Sequence, residues 1–425
     1  MQMLAPTPRP ERIAGIDIAR GFALLGIILV NARFFFLPFG AAINPARLPD
    51  GLERGTLDWA VHDAVDALVT YKFISLFSLL FGFGLAQQAA KAAAAGRSRW
   101  EGGMRRLGMM LGIGLVHGFL VWYGDILSLY AVLGTLALAC VGLGDRWLKR
   151  VTIGVLAVLL FLTVAGSAAR WAFSDVAAAA AAEAAKQPAP DPDSPLHGFS
   201  ALFAANFDPG SATWMNAEVA AFREGPWLDA FAFRATGYVF AMVAAPFSYG
   251  WQSFLMMLLG VWAQRTGLFA GEADAAARRR KLAFRGLAVG LPFALCTVLP
   301  HWILGRDSAA GEALSGVSTG FASIALPVAY ACIAVEFGPR LPSFIASPVR
   351  AAGSIGLTVY LSESLVCTAI ASWWGLARYG TLLDAEFTVV VVAVWAALVL
   401  GALAWVRSFG PGPMERLWRW ATYRR

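Results

Sequence analysis

The chain has 425 residues, of which 58% are hydrophobic and only 14% charged. Soluble domains carry about 25% charged residues, so this composition excludes a soluble protein with a large core. The formal net charge of +7 does not point to nucleic acid, because Lys and Arg collect in the cytoplasmic loops of inner-membrane proteins.

The apolar residues come in blocks of about 20, the length a helix needs to cross a bilayer. A β-barrel would show alternation instead. We expect an all-α polytopic membrane bundle of about ten helices. They fall near 18–38, 72–90, 104–123, 126–144, 150–172, 236–263, 283–303, 316–336, 352–375 and 386–407. Most of the 34 basic residues then lie on one side, which sets the N-terminus and the C-terminus in the cytoplasm. The expected location is a bacterial-type cytoplasmic (inner) membrane. The first apolar run has no small-residue cleavage site and reads as a retained helix.

The first span opens IDIARGFALLGIILVN. Asp17 and Arg20 are three apart and can pair. Arg20 and Asn31 are eleven apart and share one helix face. This face reads as a cytoplasmic anchor or as the wall of an anionic-ligand pocket. Residues 39–71 form an outward loop with an amphipathic stretch, LDWAVHDAVDALV, in which His62 is expected to be solvated. The second span carries Ser75, Ser78, Gly82 and Gly84, a packing pattern.

The third span is the most informative. Arg105 and Arg106 mark its cytoplasmic boundary, and His117 lies eleven residues beyond Arg106. That is roughly 16 Å, about half of the hydrocarbon core. An ionisable side chain at that depth is costly, so it is a functional candidate. The structural alternative is a histidine bonded to a neighbouring helix. Gly108 with Gly112, and Gly114 with Gly118, are spaced for close helix approach. Asp125 opens the fourth span as its cap or as the support of a base at His117. A straight helix would leave about 12 Å between the two, so spacing alone does not predict contact. Tyr130, a turn later, could donate into the same cavity.

Residues 173–235 form a second outward loop containing the polar linker KQPAPDPDSP and His197. It separates an N-terminal five-helix half, 1–172, from a C-terminal half, 236–425. In the second half Pro246, Pro292, Pro300 and Pro327 are expected to kink or end helices. The ninth span carries GSIGLTVYLSESLV. Glu363 there is a second candidate acid/base group, with Tyr360 and Ser364 on one face of the same helix. His301 sits at the outer end of the seventh span. The four cysteines lie in apolar runs without metal-ligand spacing and read as small hydrophobes. No metal site is expected. Phosphate-loop, zinc-protease and serine-hydrolase motifs are absent from the sequence.

The segments IDIARGFALLGIILVN, FISLFSLLFGFG, RRLGMMLGIGLVHGFLVWYGDILSLYAVLG, LTVYLSES and GPMERLWRWATY together resemble the YeiB-like family, catalogued as domain of unknown function 418. The likeness covers nearly the whole chain. The family pattern in the ninth span reads GR-x-x-LT-x-YL-x-QS; here Ser354 stands in place of the arginine and Glu363 in place of the glutamine. More remotely the chain is similar to transmembrane acyltransferases, which move an acyl group from cytoplasmic acyl-CoA to an extracytoplasmic acceptor. That likeness implies roles for Arg20 and His117.

Two functional expectations follow. In the first, Arg20, Arg105 and Arg106 receive the anionic donor, with Asn31, Tyr130, Tyr360 and Glu363 along the path. His117 is the general base on an acceptor hydroxyl or amine, and Asp125 supports it. Acyl-CoA is then a co-substrate, and no tightly bound cofactor is expected. In the second, the chain exports a small polar or anionic solute, with His117 and Glu363 as coupling groups. A non-enzymatic scaffold or sensor is the third class. The expected partners are the lipid bilayer and small-molecule donor and acceptor; a homo-oligomer is left open.

Overall fold

A computed structural model describes residues 13–176, 179 and 208–423. The linker KQPAPDPDSP and His197 lie outside the described residues. The first half contains α1 (Ala14–Phe36), a short α2 (Phe39–Ile43), α3 (Thr56–Leu68) and α4 (Lys72–Ala94). Next come α5 (Arg99–Val116), which runs into a π-helical turn at His117–Val121, then α6 (Leu127–Cys140) and α7 (Asp145–Ala172). The second part contains α8 (Ala212–Glu224), α9 (Trp227–Ala244), α10 (Tyr249–Arg265), α11 (Ala273–Leu304) and α12 (Ala309–Phe337). It ends with α13 (Ser343–Ser354), α14 (Gly356–Ala371), α15 (Asp384–Ser408) and α16 (Pro413–Tyr423). All regular structure among the described residues is helical.

Among the described residues, eight helices are long and apolar enough to cross a bilayer, and nine if α13 and α14, bent by 92°, count as one span. The protein is a polytopic helical membrane bundle. Its outer surface agrees: Phe161 on α7, Phe284 on α11 and Val389 on α15 are each about 70% exposed, which suits lipid contact and not water. The expected span 236–263 is divided in the structure. A 3-10 turn at Ala245–Phe247, with Pro246 inside it, separates α9 from α10, because proline cannot supply the backbone N–H a continuous helix needs. Pro292 and Pro300 lie within α11, and Pro327 within α12, without ending either helix. The expected loop 173–235 contains α8 and the start of α9.

Basic residues gather at one end of the bundle. Arg265, at the end of α10, reaches Asp145 at the start of α7 at 2.6 Å. Arg279 and Arg280 on α11 and Arg340 beyond α12 converge on Glu336, at 2.7, 2.9 and 3.2 Å. The Arg106 guanidinium lies 4.3 Å from the Trp418 ring of α16. The charge bias makes this end cytoplasmic.

The two halves interlock. An added Cβ at Gly82 of α4 would sit 2.1 Å from the Met257 carbonyl oxygen of α10. One at Gly260 would sit 2.0 Å from the Leu79 carbonyl oxygen. Glycines at these crossings bring the backbones together, which is how helices associate where no hydrophobic drive separates protein from lipid.

Candidate functional site

His117 and Asp125 are brought together by the end of α5. From His117 the helix widens by one residue per turn, and the Trp122 N–H donates to the His117 carbonyl at 2.9 Å. The chain then reverses through Tyr123 and Gly124. This returns Asp125 beneath the imidazole, with Nδ1 of His117 2.9 Å from Oδ1 of Asp125. Both side chains are buried, at 3% and 1% exposure. The expected separation of about 12 Å assumed a straight helix, and the π turn removes that assumption.

Asp125 also caps α6. Its Oδ2 accepts from the Ser128 N–H at 2.9 Å, and the Tyr238 hydroxyl donates to Ser128 Oγ at 2.7 Å. Close packing holds this corner. A Cβ at Gly114 would lie 2.5 Å from Ser128 Oγ and 2.7 Å from Asp125 Oδ2, and one at Gly118 2.4 Å from the Tyr238 ring. Gly108 and Gly112, spaced the same way, face open space. Of the two glycine pairs, only the second serves a crossing.

The free side of the imidazole is distinctive. Nε2 of His117 is buried without a hydrogen-bond partner. With Nδ1–H donating to the carboxylate, Nε2 is left as the lone-pair nitrogen. The Tyr360 ring lies 5.4 Å away, centroid to centroid. Its hydroxyl accepts from the Ile126 N–H at 3.3 Å. Glu363, one turn along α14, is 2% exposed, and its Oε1 has no partner. Buried polar atoms are nearly always paired, so two orphaned acceptors near one turn of α14 mark an unusual place.

The other sequence-predicted residues are placed elsewhere. Tyr130 is fully buried but turned toward α4, with its hydroxyl 2.6 Å from Ser78 Oγ and 3.0 Å from the Ile74 carbonyl oxygen. Ser78 and Ile74 occupy it, so it is not directed at His117. Arg20 pairs with Asp17 at 3.3 Å, near the cytoplasmic end of α1. Arg105 is half exposed and 4.0 Å from Glu101. Asn31 is partly buried on the outer half of α1. The arginines therefore share the cytoplasmic end but not the histidine pocket.

Sequence reasoning missed an ionic network on the outer side. His62, expected to be solvated, is 5% exposed. Its Nδ1 lies 2.9 Å from Asp384 and its Nε2 3.3 Å from Asp66. Arg54 pairs with Asp384 at 2.7 Å, and Arg33 with Asp66 at 2.7 Å. Arg306 reaches Asp63 at 2.6 Å. These pairs fasten α3 to α1, α11 and α15. The available signal was the amphipathic run holding His62, Asp63 and Asp66 together.

Also on this side, the Glu218 carboxylate of α8 accepts from the Tyr379 hydroxyl at 2.6 Å and from the Phe39 N–H at 3.2 Å. Burial pushes its pKa up to about 7, against the lowering effect of those two donors.

Residues 263–425 match the family described as "Protein of unknown function (DUF418)". Over 420 residues the chain is 29% identical to "Uncharacterized protein YeiB" of Escherichia coli (strain K12), covering 97% of each chain. It is 28% identical to "Uncharacterized protein YxaH" of Bacillus subtilis (strain 168) over 427 residues, covering 100% of this chain and 97% of that one. The chain is thus a multi-pass helical protein whose C-terminal part matches the DUF418 family and which is similar over nearly its whole length to YeiB and YxaH.

Proposed function

We propose that the protein is a membrane acyltransferase of the bacterial cytoplasmic membrane. It moves an acyl group from cytoplasmic acyl-CoA to a hydroxyl or amine presented from the outer side. One observation carries this reading: a buried imidazole held by a carboxylate on Nδ1, with Nε2 unpartnered. That arrangement suits a general base, because the carboxylate fixes the tautomer and stabilises the imidazolium that forms.

Nε2 takes the proton from the acceptor as its oxygen or nitrogen attacks the thioester carbonyl. The carbonyl–sulfur bond breaks, and the proton passes from the imidazolium to the departing CoA sulfur. Arg20, Arg105 and Arg106 hold the phosphates of the donor at the cytoplasmic end, where their fixed positive charge is favourable. The donor's length then carries its thioester toward the midplane. Calorimetry with acetyl-CoA and longer homologues tests the donor site. Saturable binding that weakens in Arg20→Ala and Arg106→Ala supports it; no binding by folded wild-type protein overturns it.

A second reading rests on the 92° break between α13 and α14 and on the buried Glu363 near it. Broken helices beside membrane carboxylates serve ion-coupled transport in other proteins. That reading requires solute flux driven by a pH gradient and no covalent product.

A further inference from the structure

Arg234 is a buried arginine on the outer half of the bundle, against the positive-inside bias. It is 5% exposed. Its Nη1 has no hydrogen-bond partner, and no carboxylate pairs with it among the described residues. Its guanidinium carbon lies 5.6 Å from the centre of the Phe222 ring. A buried charge without a counter-charge is costly, so a protein retains one where something else neutralises it.

Arg234, Thr368 and Ser372 line a cavity of about 110 Å³. The Oγ1 of Thr368 and the Oγ of Ser372 are buried and unpartnered as well. An adjoining cavity of about 10 Å³ shares these three residues and adds Tyr123, whose hydroxyl is also unpartnered. All four side chains are more than nine-tenths buried. Three orphaned donors thus line the larger space, with Tyr123 behind them in the smaller one, and a single water needs only about 10–15 Å³. The first turn of α9, with Trp227 and Ala230 in the lining, adds the positive end of a helix. Asp229 on that turn is not part of the lining.

The mouth is of the opposite character. Trp227, Leu365 and Trp374 are each about half exposed there. Tryptophans at such a position sit at the membrane–water boundary.

We infer that this cavity binds the phosphate group of an amphiphile in the outer leaflet. The Arg234 guanidinium and the Thr368 and Ser372 hydroxyls hold the oxyanion, and the apolar tail runs past Trp227 and Leu365 into the bilayer. A guanidinium fork with converging hydroxyls matches a tetrahedral oxyanion. This inference does not depend on acyl transfer at His117, although Leu120 and Val121 of the π turn form one wall.

The test is calorimetry on purified full-length protein in neutral detergent, with three probes: dihexanoyl phosphatidic acid, dihexanoylglycerol and inorganic phosphate. The expected result is saturable binding of the phosphatidic acid, weaker by about tenfold or more in Arg234→Gln. Arg234→Lys should recover part of it, and Thr368→Val should weaken it less. Thermal unfolding shows that each variant is folded; if Arg234→Gln does not fold, Thr368→Val and Arg234→Lys carry the comparison. Phosphate binding as tightly as the phosphatidic acid would overturn the amphiphile and leave a soluble phosphate compound as the ligand class. Equal binding of dihexanoylglycerol, or binding unchanged in every variant, would overturn the site.

Discussion

His117 and Asp125, eight residues apart in sequence, meet at 2.9 Å because α5 ends in a π-helical turn. π turns are rare and cluster at functional sites. Here the turn builds a dyad from one hairpin and leaves Nε2 directed away from the carboxylate.

Asp125→Asn tests that dyad. An asparagine keeps the volume and can still cap α6, since asparagine is as good an N-cap as aspartate. It cannot stabilise an imidazolium. Acyl transfer should fall by about 10²- to 10⁴-fold, with thermal stability close to wild type. Asp125→Ala should lose activity and also about 1 kcal/mol of stability from the missing cap. Activity assays and thermal melts of both variants separate the two effects.

Gly114→Ala should destabilise the corner. Its Cβ would meet the Ser128 backbone nitrogen at 2.6 Å, and neither backbone can yield cheaply. A loss of about 1–3 kcal/mol is expected, as for overpacked cores. Gly112→Ala, with nothing within 4 Å, should be neutral or slightly stabilising because it improves helix propensity. Equal melting behaviour of the two variants would contradict the crossing of α5 and α6 described above.

Asp384→Ala would leave the buried Arg54 and His62 without their shared partner. Removing one member of a buried ion pair typically costs about 3–5 kcal/mol. Detergent-solubilised protein should melt at a markedly lower temperature, and α3 should become sensitive to protease. Any binding of acyl-CoA at the proposed donor site should be unaffected in whatever fraction remains folded.

Glu218 predicts a pH dependence. Its folded pKa, about 7, lies above its ordinary 4.5. The folded state therefore holds the proton more tightly than the unfolded state. The stability contributed is complete below about 4.5 and is lost as pH rises through about 7. Melting temperature should fall across that window in wild-type protein. Glu218→Gln should flatten the fall, and a slope unchanged in the variant would assign it to another group.

Much of this architecture was legible because bilayer physics writes itself into the sequence. Twenty-residue apolar runs located most of the helices, and basic side chains expected on one side do gather at one end of the bundle. The burial of His117 followed from counting residues beyond Arg106. Its contact with Asp125 did not, since nothing in the local sequence announces that α5 widens at His117. The division of 236–263 was half legible: Pro246 was expected to disturb a helix, and it sits in the turn between α9 and α10. The outer ionic network was invisible for a different reason. Arg54 and Asp384 are 330 residues apart, and only the folded chain brings such partners together. Arg234 falls within the expected outward loop 173–235, where an arginine is ordinary, and only the fold sets it on α9 beside a cavity.

The most direct measurement is label transfer in inside-out membrane vesicles from cells expressing the protein. Radiolabelled acetyl-CoA is supplied at the exposed cytoplasmic face, and native membrane components serve as acceptors. Wild-type vesicles should accumulate covalent label that Asp125→Asn reduces and His117→Ala abolishes, with or without a pH gradient. Undiminished labelling by a folded His117→Ala variant would contradict the role given to His117.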